Sequence, residues 1–223
     1  MNERKGAVYS IGNENQCVKG CTISKTVIQD NINYITHFAL AKETTISAEY
    51  YLHPSLFIVS RGNLLMEFHD RALEKTTDSL EVKSLDAVIS PVESFYGFKA
   101  REDCVYTEIG LSKELKMNSA IKNKDVFSLR DLIPYQDGKI VNMDIISDPK
   151  TVFEVMAFDA GCGLPEHAAP GEALIFALDG KGIITYEGKD YPIEAGQNFV
   201  FEKGGLHAVK AVTKFKMALL LTK

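Results

Sequence analysis

The sequence predicts an all-β chain made of two tandem domains of one barrel or sandwich design, and three observations predict it. Short apolar or alternating runs separated by turn residues fill both halves, the pattern of strands that close into a sandwich or barrel. The two halves repeat one another, which points to duplication of a single domain. Several strands are apolar on both faces, as in Ala173-Leu-Ile-Phe-Ala-Leu178 and Met217-Ala-Leu-Leu-Leu221, so each needs cover on both sides.

The repeat fixes the layout. Ser55 to Phe68 lies over Ala173 to Tyr186 without a gap, aligning Gly62 with Gly180. Ser84 to Ala100 lies over Ala195 to Ala211, and the change of register between the two matches places a longer loop around His69 to Leu80 in the first half. Residues 1–34 are expected to form an N-terminal extension packing on the barrels. Residues 35–112 form the first domain and 140–223 the second. Between them, residues 113–139 are polar and lysine-rich and are expected to be a solvated linker with one helical turn over Ser128 to Leu132. Tyr186-Glu-Gly-Lys189 is expected to be a hairpin, its glycine supplying the positive φ of a tight turn.

Bulk properties narrow the function classes. The 223 residues are 45% hydrophobic and 25% charged, ordinary values for a globular protein. A net charge of −5 without a Lys/Arg cluster gives no electrostatic footprint for nucleic acid, and none is expected as a partner. No apolar run approaches the roughly 20 residues that cross a bilayer, and the charged start leads into no apolar stretch. A cytoplasmic protein without a membrane partner is expected. Four cysteines at irregular spacing do not suggest a disulfide framework. Cys17 and Cys21 have the spacing of half a zinc site, but no second pair completes it, and they read as reduced thiols. Cys162 reads as a small residue in a glycine-flanked turn.

Two stretches carry the chemistry. The first is Gly161-Cys-Gly-Leu-Pro-Glu-His167-Ala-Ala169-Pro-Gly-Glu172-Ala173, running on to Gly180, and the second is Gly196 through Gly204-Gly-Leu-His207. Together they resemble the paired motifs of the cupin superfamily, approximately G-x5-H-x-H-x3-E-x6-G and G-x5-P-x-G-x2-H. The resemblance spans residues 35–111 faintly and 140–222 strongly. It implies two tandem cupin-type jelly-roll β-barrels, a bicupin with degenerate metal-binding motifs, in which the halves pack face to face and the chain forms a homodimer.

The resemblance also places the expected ligands. Metal-binding cupins resemble one another in using His, His, a carboxylate and His at positions that fall here on His167, Ala169, Ala173 and His207. Two of the four are methyl groups, fewer donors than a divalent ion normally needs. Glu172 and Glu166 each miss the inward face by one residue, since strand side chains alternate. A bulge after Pro170-Gly171 would swing Glu172 inward and complete a facial triad with His167 and His207. Without one, the two imidazoles are polar groups in a pocket widened by Ala169, Ala173 and Ala177, suited to an organic ligand of sugar or acid type. A purely structural role, with both histidines buried and hydrogen-bonded, is the third reading.

In the first half the same positions hold Glu49, Tyr51, Ser55 and Tyr96, and Leu85 replaces Gly196. This set makes no metal site, and a scaffold role is expected, with Glu49, Tyr51 and Tyr96 as candidates for lining a polar pocket. His37, His53 and His69 fall outside the motif positions.

Three functions follow. The leading expectation is a non-enzymatic or sensory protein that binds a small metabolite at His167, His207, Ala169 and Ala173. The alternative is a metal-dependent dioxygenase or isomerase in which His167 and His207, with Glu172, hold Fe, Mn, Ni or Zn. A metal-free enzyme using His207 or His167 as general base is the last. No helix pair of a DNA-binding motif flanks the barrels.

Overall fold

The computed structural model describes residues 1–29, 33–70, 75–148 and 150–223. They divide into two compact units. The N-terminal unit comprises Ile11–Glu114 and Ser119–Ser128; the C-terminal unit comprises Met1–Ser10, Leu115–Asn118 and Leu129–Lys223.

In the N-terminal unit a single helical turn, α1 (Ile11–Glu14), precedes nine strands. These are β1 (Thr22–Ile28), β2 (Ile35–Leu40), β3 (Thr45–Tyr51), β4 (Ser55–Arg61) and β5 (Asn63–Asp70), followed by β6 (Lys75–Lys83), β7 (Asp86–Ile89), β8 (Ser94–Ala100) and β9 (Cys104–Gly110). Two short strands follow, β10 (Lys116–Met117) and β11 (Phe127–Ser128). The C-terminal unit continues with β12 (Ile140–Ser147), β13 (Thr151–Phe158), β14 (Gly163–Ala168), β15 (Glu172–Asp179) and β16 (Lys181–Tyr186). It ends with β17 (Lys189–Glu194), β18 (Asn198–Phe201), β19 (Leu206–Ala211) and β20 (Phe215–Thr222).

Each unit is a jelly roll of two facing sheets. The N-terminal unit has a six-stranded sheet ordered β1-β2-β9-β4-β7-β11 and a four-stranded sheet ordered β3-β8-β5-β6. The C-terminal unit has β10-β12-β13-β20-β15-β18 and β14-β19-β16-β17. Between the sheets of the first lie Leu40, Phe57, Val59, Leu64, Met66 and Phe98; between those of the second lie Phe158, Ile175, Phe199, Val209 and Phe215. The strands with apolar residues on both faces are the central ones: every residue of β9 is buried, and so are the inner six of β15.

The duplication is legible in the turns. Gly62 and Gly180 both sit at positive φ, 77° and 70°, where their strands double back. A Cβ on Gly180 would collide with the Lys214 carbonyl, and one on Gly62 with that of Asp103. Leu85 keeps the left-handed conformation of its counterpart Gly196, with φ of 69° against 86°. The turn geometry outlived its glycine at a cost of about 1 kcal/mol or more.

Several local expectations are refined. The 186–189 hairpin forms with Tyr186 opposite Lys189, both central residues taking positive φ as this tight turn demands. The stretch expected as a loop around His69 to Leu80 is mostly hairpin: β6 pairs with β5 from Asn63↔Lys83 to Asp70↔Lys75, and residues 71–74 lie outside the described residues. No helical turn forms over Ser128 to Leu132; Ser128 pairs with Asp86 and a non-helical turn follows. The stretch 113–139 contributes β10 to one unit and β11 to the other, where their backbone groups find ladder partners.

Candidate functional site

In the C-terminal unit β14 runs antiparallel to β19 and sets His167 directly opposite His207. The register slips by one residue between Leu164 and His167, where Pro165 has no N–H to give the ladder. The ring centroids are 4.2 Å apart, tilted by 51°. Each imidazole is pinned in the same way. Nδ1 of His167 lies 2.8 Å from the Pro165 carbonyl oxygen, and Nδ1 of His207 lies 3.2 Å from that of Gly205. A carbonyl only accepts, so each Nδ1 carries the proton and donates it. Each Nε2 then carries the free lone pair of its ring.

The environments of the two rings differ. His167 is exposed, whereas His207 is only 7% exposed. His207 stacks on Phe201 at 4.0 Å and 26°. Phe201 in turn meets Phe199 at 5.2 Å and Tyr186 at 5.6 Å, so a run of rings leads from the core out to His167. Burial holds the His207 pKa below its ordinary value; the His167 charge pushes the same way, against the Gly205 carbonyl.

Ala169 and Ala173 are each 3% exposed, and both belong to the core cluster containing Phe199, Phe201 and Tyr186. Ala173 pairs across strands with Phe201. The volume that small side chains were expected to open is occupied by these rings instead. Two surface clefts, of about 970 and 400 Å³, are lined by other residues, among them Arg61, Cys17 and Lys83 in the first and Lys181, Ile193 and Val212 in the second.

Glu172 does not join the histidines. The pairing of β15 with β20 runs unbroken from Glu172 to Ala177, so no bulge turns its side chain toward the face that Ala173, Ile175 and Ala177 share. Its carboxylate is engaged by the Met1 ammonium and by Lys5, 3.2 Å away. Burial acts to raise its pKa, but these two cations outweigh that and hold it low. Glu166 is exposed. Among the described residues no three His, Cys, Asp or Glu side chains gather as an ion would require. The protein supplies two imidazole donors in the ligating tautomer and no third, which does not by itself make an ion site. The four cysteines are free, and Cys162 sits in a turn, its N–H donating to the Asp159 carbonyl.

The repeat-related positions of the N-terminal unit make a different cluster. Glu49 lies opposite Tyr96, as His167 lies opposite His207. Tyr51 stacks on Tyr96 at 4.3 Å and 15°. The Ser55 hydroxyl donates to Glu108 Oε1 at 3.1 Å, and the Tyr34 hydroxyl donates to the same oxygen at 2.5 Å. Sequence reasoning missed Tyr34 and Glu108. The available signal was a lone carboxylate in the otherwise uncharged strand Cys104-Val-Tyr-Thr-Glu-Ile-Gly110.

Comparison with known proteins agrees with this architecture. Residues 154–222 match the model of the cupin domain. A cupin 2 conserved barrel domain protein from Leptotrichia buccalis is 26% identical, with a TM-score of 0.85 over 99% of this chain and 98% of that one. A salicylate 1,2-dioxygenase from Pseudaminobacter salicylatoxidans gives a TM-score of 0.60 at 12% identity, over 86% of this chain and 71% of that one. AerE from Microcystis aeruginosa gives 0.57 at 14% identity, over 96% and 98%. The last two likenesses are of fold alone. No curated protein matches. No helix of the described residues is long and apolar enough to cross a membrane. The jelly-roll sheets, the paired motif stretches and the domain match agree: residues 154–222 match a cupin domain, and the chain as a whole is similar in fold to a cupin barrel protein.

Proposed function

We propose that the C-terminal unit binds a small hydroxyl-bearing molecule at the imidazole pair of His167 and His207. The observation that carries this reading is the shared pinning of the two Nδ1 atoms, which leaves two Nε2 acceptors on neighbouring rings. A ligand hydroxyl donates to such a nitrogen. A carboxylate finds a donor there only if the ring is protonated, and burial works against that at His207. The reading therefore favours a sugar or other neutral polyol over a purely acidic ligand.

Imidazole nitrogen NMR tests it. Titration with D-glucose and with citrate is followed at the Nε2 resonances of wild type and His207→Ala. A saturable glucose shift that vanishes in the variant supports the reading; a response to citrate alone overturns its ligand class.

A second reading is favoured by the same tautomer, because ligating histidines ordinarily donate Nδ1–H to a backbone carbonyl. In it His167 and His207 hold Fe, Mn, Ni or Zn in a dioxygenase or isomerase, the remaining donors coming from substrate or water. Elemental analysis of untagged protein beside His167→Ala decides between the two. A near-stoichiometric ion lost in the variant replaces the binding reading.

A further inference from the structure

The N-terminal unit carries a polar cluster that the His167/His207 site does not use. Glu108 is 6% exposed, on a strand whose other residues are all buried. A carboxylate so placed normally faces a cation, because a buried unpaired charge is costly. Among the described residues none faces it here: both its hydrogen bonds come from neutral hydroxyls, Tyr34 and Ser55, and both reach Oε1. The Tyr34 and Ser55 hydroxyls also lie 3.2 Å from each other. Burial raises the Glu108 pKa against those two hydrogen bonds.

The surroundings share one chemistry. Tyr51 and Tyr96 stack beside the carboxylate, and burial first, then the Glu108 charge, raises the Tyr51 pKa to about 12. The Tyr96 hydroxyl is held by Ser90 at 3.4 Å, and the same serine accepts from the Ser55 N–H. A network built only for stability would close on itself. This one leaves an acceptor over, Glu108 Oε2, since both hydrogen bonds reach Oε1. What it lacks is a donor, and beside a carboxylate in a low-dielectric interior a charged donor gains most. The ring faces of tyrosines suit a cation as well.

The cluster occupies the positions that correspond by repeat to the imidazole pair, with Glu49–Tyr96 standing where His167–His207 stand and Ser55 where Ala173 stands. We propose that the N-terminal unit binds an organic ammonium cation, its charge on Glu108 and its alkyl part against the rings of Tyr34 and Tyr51. This second site is independent of the ligand proposed for the C-terminal unit.

The chain has nine tyrosines and no tryptophan, so its near-ultraviolet difference spectrum reports on phenols directly. Full-length protein is titrated with n-butylammonium and tetramethylammonium chloride, with n-butanol and sodium chloride in parallel. A saturable tyrosine difference signal is expected for at least one ammonium probe and for neither control. It weakens at least ten-fold in Glu108→Gln, which keeps the size and the Oε1 acceptor, and persists in His207→Ala. Should Glu108→Gln misfold by circular dichroism, Tyr51→Leu, altering a half-buried ring, carries the test with the same expected loss. Equal response to n-butanol, no saturable response to either ammonium ion, or full response in the folded variant overturns the proposal.

Discussion

Replacing Phe201 by alanine tests the physical basis of the imidazole pair. Phe201 is 1% exposed and meets Phe199, Tyr186 and His207. Truncating a fully buried phenylalanine costs about 3–5 kcal/mol, the transfer of the ring plus the cavity it leaves. The upper half is expected, because its neighbours are themselves rings packed on other partners and have little freedom to collapse inward. With a urea dependence of about 2 kcal/mol per molar, the unfolding midpoint falls by roughly 2 M. The variant also hydrates His207. Since burial is the largest cause of its lowered pKa, the His207 titration moves up toward its ordinary value. Urea unfolding by circular dichroism gives the first quantity and imidazole NMR the second. A midpoint within about 0.5 M of wild type, or an unmoved His207 titration, refutes the account of Phe201 as the ring that seats and dries His207.

Three further outcomes are expected. Because the folded-state pKa of His207 lies below the ordinary 6.5, its contribution to stability is full above pH 6.5 and is lost as pH falls through the folded value. Melting curves of wild type and His207→Gln should therefore differ by a constant amount above pH 6.5 and converge below it; a constant offset throughout rejects this. Gly180→Ala, at φ 70° with the Lys214 carbonyl in the way, is expected to lose about 1–2 kcal/mol from the backbone alone and more from the collision, lowering the melting temperature by several degrees at the least. Lys5→Ala removes pairs with Glu172 and Glu202 that are open to solvent, so its effect should stay within about 1 kcal/mol and shrink in salt; a larger, salt-independent loss would show the pairs to be stronger than surface ion pairs usually are.

What the sequence made legible was whatever has a period or a fixed interval. Alternation marked the strands, and the spacing of Gly62 and Gly180 aligned the two halves. The intervals His167-to-Gly180 and Gly196-to-His207 put the two histidines opposite one another. What stayed hidden depends on neighbours far along the chain. The alanines at 169 and 173 gave no notice that Phe199 and Phe201 fill the room beside them. Glu172 is tied by Met1 and Lys5, more than 160 residues away in sequence, a pairing no local pattern encodes. Glu108 was passed over because it lies outside the motif positions, in a strand beyond the reach of the two repeat matches.

One detail of the sheets bears on any attempt to work with half of this chain. The outer edge of β18 is closed by the first ten residues, through Tyr9 paired with Asn198 and the Gly6 N–H donated to the Val200 carbonyl. In the other unit β11 lies along the corresponding strand, β7. Neither jelly roll is thus sealed by its own duplicated stretch; each borrows a short piece of chain from beyond it. A fragment cut to residues 154–222, the span that matches the family, would surrender β10, β12 and the strip along β18, baring unsatisfied main-chain groups on both flanks of one sheet. Such a fragment is expected to self-associate, and the smallest piece fit for separate study is larger than homology alone would mark out.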